Sequence, residues 1–162
     1  MVQLTEINDI KGKSMAIRNI ITEENPILRK ISKEVKNFDE NLGELLDDMK
    51  ETLVHAKGVG LASPQVAVLK RVFIIMVNED YIEFINPKIT KVSGSQCGQE
   101  GCLSIPGKFA DVVRPNKVSI DFQNRYGEPM SLTATGFMAR AICHEYDHLN
   151  GVLYVDLIKD KK

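Results

Sequence analysis

Apolar residues recur at helical spacing between about Asn37 and Lys57, where Leu42, Leu45, Leu46, Met49, Leu53 and Val54 form one stripe. Gly58 stands where a left-handed C-cap residue belongs, so the pattern predicts a long helix in the N-terminal part. Just upstream, "ENPILRKIS" at 24–32 puts Pro26 at the start of a short helix whose buried side would carry Ile27, Leu28 and Ile31. The period then changes. "RVFIIMV", "EFINPKITKV", "DVVRPNKVSIDFQN" and "MSLTA" are rich in β-branched and aromatic residues and are punctuated by Gly, Pro and Asn, which predicts short, mostly antiparallel strands. "TATGFMARAICHEYDHLNG" at 133–151 returns to the helical period, with Thr133 or Thr135 as N-cap and Gly151 as the stop.

Helix, strands and helix in that order, without alternating βα units, predict an α+β domain: short antiparallel sheets packed around the C-terminal helix, with a long N-terminal helix. No repeat, low-complexity tract or linker divides the chain, so residues 15–162 are expected to form a single domain. The opening "MVQLTEINDIKGKS", residues 1–14, precedes a second methionine and is expected to be a leader or an alternative start.

Composition narrows the function classes. A net charge of -1 gives no broad attraction to nucleic acid or anionic lipid, so no nucleic-acid reading and no membrane partner are expected. The most apolar run, "VFIIMV" at 72–77, is too short to span a bilayer, and the N-terminus has no secretory pattern, which makes the cytoplasm the expected location. Three cysteines, Cys97, Cys102 and Cys143, are an odd number in a chain large enough to fold without staples, so reduced thiols are expected.

The last predicted helix carries chemistry. His144 and His148 are four residues apart and lie on one helical face, with Glu145 one step round, where it can reach a metal-bound water. Phe137 and Ala141 are in register with that face, so the histidines continue an inward stripe. A catalytic metal usually keeps three protein ligands and an open position. A downstream third histidine is missing, because Tyr154 occupies its place, and no glutamate follows Glu145. The third ligand is therefore expected upstream. Cys143 is rotated by about 100° from His144 and is expected to pack as a small buried residue. His55, in the last turn of the first long helix, is read as a surface residue. Cys97 is read as an ordinary loop or strand thiol, and Cys102, after Gly101 and before the apolar "LSIP", could turn a thiolate inward from a strand end.

"GVGLASPQ" at 58–65, "EGCLSIP" at 100–106 and "HEYDHLNG" at 144–151 stand in the order and approximate spacing of the three signature motifs of peptide deformylases, and the resemblance spans essentially Met15 to Asp160. It implies a Cys102, His144, His148 metal site and hydrolysis of the formyl group of N-formylmethionyl peptides, with formate as product. It also implies Glu145 as general base, with the Gln65 side-chain amide and the Leu103 backbone N–H as oxyanion donors. Val59 and Gly60 are implied as main-chain contacts to an extended peptide, with Gly101 allowing close backbone approach. Val59, Phe137 and Ala141 would line an apolar pocket for the methionine side chain, and Glu100 and Arg114 would form an ion pair. The resemblance favours ferrous iron, with nickel, cobalt or zinc as replacements, and a transient ribosome association. Ser63, Cys143 and Phe109 depart from residues common in the family, and the tail "VDLIKDKK" lacks a long C-terminal helix. The alternatives from other classes are a general metallopeptidase and a lapsed, metal-containing peptide-binding module.

Overall fold

A computed structural model describes residues 7–8 and 14–158. Apart from residues 7–8 and 14, the stretch 1–14 expected to be a leader lies outside the described residues. Ile7–Asn8 (β1) and Ser14–Met15 (β2) form a two-residue antiparallel ladder.

Asp39 opens the first long helix, its carboxylate accepting the Leu42 amide hydrogen at 3.1 Å, and α1 runs Glu40–Ala56. The left-handed residue at its end is Lys57 (φ 55°), one position before the expected Gly58. Gly58 is needed for space instead, since a Cβ there would lie 2.8 Å from Cδ1 of Leu103. Val54 also departs from the predicted stripe, being exposed, while Leu42, Leu45, Leu46, Met49 and Leu53 are buried. The segment from Pro26 forms only a single 3₁₀ turn, Pro26–Arg29. It ends before Ile31, which is consequently 70% exposed while Leu28 is buried.

Five strands form one antiparallel sheet: β3 (Gly60–Ala62), β4 (Val72–Val77), β5 (Asp80–Ser93), β8 (Lys117–Gln123) and β9 (Pro129–Thr135), in the order β3-β4-β5-β8-β9. Strands β6 (Gln96–Cys102) and β7 (Ile105–Arg114) pair separately as a hairpin. The C-terminal helix α2 runs Gly136–Leu149, with Thr135 at the N-cap position.

The sheet lies between the two helices, and β4 shows how alternation decides this. Val72 and Ile74 join Leu46, Met49 and Leu53 of α1 in one buried cluster. Phe73 and Ile75 point the other way and join Ala139, Ile142 and Leu149 of α2. A strand covered on both faces reads as an unbroken apolar run, which accounts for "VFIIMV". A third cluster of Leu28, Ile105, Val112, Leu153 and Tyr154 anchors the β6–β7 hairpin beside α2. Among the described residues no helix is long and apolar enough to cross a membrane.

Candidate active site

The end of β6 meets the inward face of α2. Sγ of Cys102 lies 3.4 Å from Nε2 of His148, and Cys102, His144 and His148 each offer a donor atom within 4.8 Å of the other two. One soft thiolate and two imidazoles at this spacing suit a single transition-metal ion. Among the described residues this is the one group of three or more Cys, His, Asp or Glu side chains so arranged.

The surroundings orient these groups. His144 directs Nδ1 to Oε1 of Glu100 at 2.9 Å, which leaves its other nitrogen for an ion. Glu100 is held by Arg114, whose Nε and Nη2 reach its two oxygens at 2.9 Å each, and by Arg140 at 2.6 Å. Arg114 also pairs with Asp147 at 2.6 Å. Burial works against the Glu100 carboxylate, but the hydrogen bonds from His144 and Arg114 outweigh it and bring its pKa down to about 2. Burial likewise disfavours a proton on His144, but Glu145, Cys102 and Glu100 outweigh it and raise its pKa to about 10. Burial and the neighbouring His144 push His148 well below its ordinary value. Tyr154 stacks on His144 at 6.0 Å between ring centroids and donates its hydroxyl to the Lys108 carbonyl at 3.0 Å. The residue at the place of a third histidine thus packs against His144.

Glu145 is buried beside β3, its Oε1 has no hydrogen-bond partner among the described residues, and burial pushes its pKa up to about 7. Gln65 sits in a 3₁₀ turn, Ser63–Val66, that follows directly on β3. Its Oε1 accepts the Ala62 amide hydrogen at 2.9 Å, which turns its NH2 toward Ser104 Oγ at 3.1 Å and Cys102 Sγ at 3.6 Å. Ser63 does not add a hydroxyl to the site: it donates to the Val68 carbonyl at 2.6 Å and closes the turn. Cys143 packs into the core as expected, and burial raises its thiol pKa to about 11.

A cavity of about 500 Å³ opens over these groups. Val59, Gly60, Gln65, Gly101, Cys102, Leu103, His144 and Glu145 all line it, while His148 lies beneath at 1% exposure. Phe137 and Ala141 form part of the wall, although Phe137 is 56% exposed at the rim. Cys97 and His55 are exposed.

A family model for polypeptide deformylases matches residues 17–162. The chain belongs to that family. Peptide deformylase of Caldicellulosiruptor bescii is 52% identical over 144 residues, 89% of this chain and 87% of that protein. That of Alkaliphilus metalliredigens is also 52% identical, over 89% of this chain and 98% of its own. Among solved structures, the peptide deformylase from Thermotoga maritima superposes with a TM-score of 0.87 at 40% identity, over 88% of this chain and 98% of that one. The one from Legionella pneumophila gives 0.87 at 41% identity, over 90% and 88%. The α+β fold expected from the sequence is therefore the deformylase fold. The activity that goes with family membership is hydrolytic removal of the formyl group from the N-terminal formylmethionine of new polypeptides, and it implies a single metal ion.

Several residues of this deformylase site escaped sequence reasoning. Arg140 precedes His144 by one helical turn, a spacing that could have flagged it. Asp147, beside the histidine pair in sequence, pairs with Arg114. Ser104 carries no signal beyond its place after Cys102.

Proposed function

We propose that the chain deformylates N-formylmethionyl peptides using a divalent ion held by Cys102, His144 and His148. The observation that carries the assignment of these ligands is the convergence of their donor atoms within 4.8 Å beneath a cavity lined by Glu145 and Gln65. The ion, when bound, supplies Lewis acidity that polarises the formyl carbonyl and makes water a nucleophile near neutral pH.

The remaining roles belong to the protein. Glu145, whose Oε1 has no partner among the described residues, takes a proton from the attacking water and returns it to the departing amine. Water adds to the formyl carbon, the C–N bond breaks, and formate leaves a free N-terminus. Gln65 is aimed by its contact with the Ala62 amide and donates its NH2 to the oxygen that becomes negative, and the Leu103 N–H is the second protein donor.

The peptide backbone lies along β3. Among the described residues this strand pairs only with β4 and so forms a sheet edge. Val59 accepts the Met76 amide hydrogen at 2.7 Å, so Val59 faces β4 and, by antiparallel alternation, the N–H and C=O of Gly60 point to the open edge. An extended peptide can add there as a strand. Gly101 of the facing hairpin lines the same cavity, its missing Cβ making room for the Phe109 ring, and Val59, Phe137 and Ala141 receive the methionine side chain.

We further infer ferrous iron as the ion in the cell, with nickel, cobalt or zinc able to replace it. A thiolate ligand makes a ferrous enzyme oxygen-sensitive, so activity should decay in air and persist when nickel is substituted. Residues 15–162 act as one catalytic domain. Its substrate, a new polypeptide, favours the cytoplasm and a transient contact with ribosomes, which cosedimentation would test.

The deciding experiment measures formate release from formyl-Met-Ala-Ser by anaerobically prepared protein loaded with ferrous iron or nickel. Metal-dependent release that disappears in Glu145→Ala supports the assignment. Absence of release from folded, metal-loaded protein would remove it.

A further inference from the structure

Phe109 is an exposed aromatic residue that the proposed reaction does not use. It is 67% exposed and lines the cavity over the candidate site. An exposed phenylalanine by itself is ordinary, but the backbone around this one is irregular. Glu100 pairs with Ala110 and Cys102 with Ile105, so Gly101 alone on β6 stands opposite four residues, 106–109, on β7. A bulge of this kind re-aims the side chains it carries. All four of these residues are exposed and line the cavity. The bulge is anchored next to the ring: Tyr154 donates its hydroxyl to the Lys108 carbonyl at 3.0 Å, and Lys108 Nζ pairs with Glu23 at 3.1 Å. The ring itself lies against Gly101, where a Cβ would come within 2.7 Å of its Cε1 and 2.8 Å of its Cδ1. Part of the ring is thus seated on the backbone beside Cys102, and the remainder is left in water.

Among the described residues, three large apolar side chains that line the cavity are exposed: Val59, Phe109 and Phe137. Val59 and Phe137, with Ala141, make up the wall given to the methionine side chain. Phe109 alone belongs to the hairpin. A peptide extended along β3 sends successive side chains to opposite faces. With the first directed at the α2 wall, the second is directed away from it, and the hairpin offers it the open part of the Phe109 ring. An apolar side chain there would remove that surface from water, and an aromatic one would add ring-to-ring attraction.

We infer that Phe109 determines specificity beyond the first residue, giving the chain a preference for formylated peptides whose second residue is aromatic or large and aliphatic. The inference rests on the reading that the chain deformylates peptides lying along β3.

The test compares kcat/KM for formyl-Met-Phe-Ser, formyl-Met-Ala-Ser and formyl-Met-Ala-Phe, using nickel-loaded wild type, Phe109→Ala and Phe109→Tyr. Wild type should favour formyl-Met-Phe-Ser over formyl-Met-Ala-Ser by roughly threefold to tenfold, the range for one aromatic pair. Phe109→Ala should lose that ratio, and Phe109→Tyr, which keeps the ring, should retain it. A residue that only filled the space over Gly101 would slow all three substrates alike, so an unchanged ratio in Phe109→Ala overturns the inference, as does a wild type without the preference. A Phe109-dependent gain confined to formyl-Met-Ala-Phe would give the ring to the third side chain and overturns it as well. Failure of wild type to process any of the three would instead overturn the deformylase assignment on which it rests.

Discussion

Gly60 and Glu145 occupy adjoining space: a Cβ on Gly60 would lie 2.6 Å from Oε2 of Glu145 and 2.9 Å from its Cδ. Strand β3 can pass over the carboxylate only because residue 60 has no side chain. Gly60→Ala should therefore leave the fold intact and displace Glu145. A shift of about 1 Å in a reacting group can cost on the order of 10²-fold in rate, which steady-state kinetics on formyl-Met-Ala-Ser would reveal. Wild-type kcat in a folded Gly60→Ala protein would show that the carboxylate has room to move without consequence.

Removing a proposed ligand and removing the proposed base should separate in metal analysis. Cys102→Ala should lose both bound metal and turnover, whereas Glu145→Ala should keep about one equivalent of metal and lose turnover. Elemental analysis of protein purified side by side with wild type distinguishes them, and full metal content in Cys102→Ala would refute the ligand assignment.

Gln65 is held chiefly by the Ala62 amide at 2.9 Å and Ser104 Oγ at 3.1 Å, and its contact with Cys102 Sγ is the longer one at 3.6 Å. Gln65→Ala should bind metal normally and turn over roughly 10²-fold to 10³-fold more slowly, the range for losing one oxyanion donor. The loss should fall on kcat more than on KM.

Arg114 bridges Glu100 and Asp147 in a buried network, with its own side chain 4% exposed. Arg114→Leu leaves those carboxylates short of a partner, and breaking a buried pair from one side costs about 3–5 kcal/mol. Denaturant unfolding should show that loss. Because Glu100 orients His144, metal affinity should also drop by roughly tenfold to a hundredfold, as measured by competition with a chelator.

An alkaline transition should trace to Tyr81, away from the site. Burial and the Glu83 carboxylate, which accepts its hydroxyl hydrogen at 2.6 Å, raise the Tyr81 pKa above the usual phenol range. The folded chain then keeps a proton that the unfolded chain releases near pH 10. The associated stability is complete below about pH 10 and declines as pH rises past it. Tyr81→Phe should consequently lose less stability than wild type between about pH 9 and pH 11. Parallel losses in the two proteins would place the transition elsewhere.

Local pattern carried a large part of this protein. Helical spacing in 37–57 and 133–151, strand-rich runs between them, and two histidines four apart with an adjacent glutamate are short-range properties of the chain. They established the α+β class and marked His144, Glu145 and His148, because periodicity depends on residues a few positions apart. The single 3₁₀ turn at Pro26–Arg29, the left-handed Lys57 and the inward hydroxyl of Ser63 were decided by contacts that local spacing does not record. The same holds for the proposed ligand set and its support. Cys102 comes within 3.4 Å of His148 only because the β6–β7 hairpin packs on α2, and Glu100 gathers Arg114 from β7 and Arg140 and His144 from α2. Buried charges must find partners wherever packing brings them, so their pairing belongs to the tertiary structure.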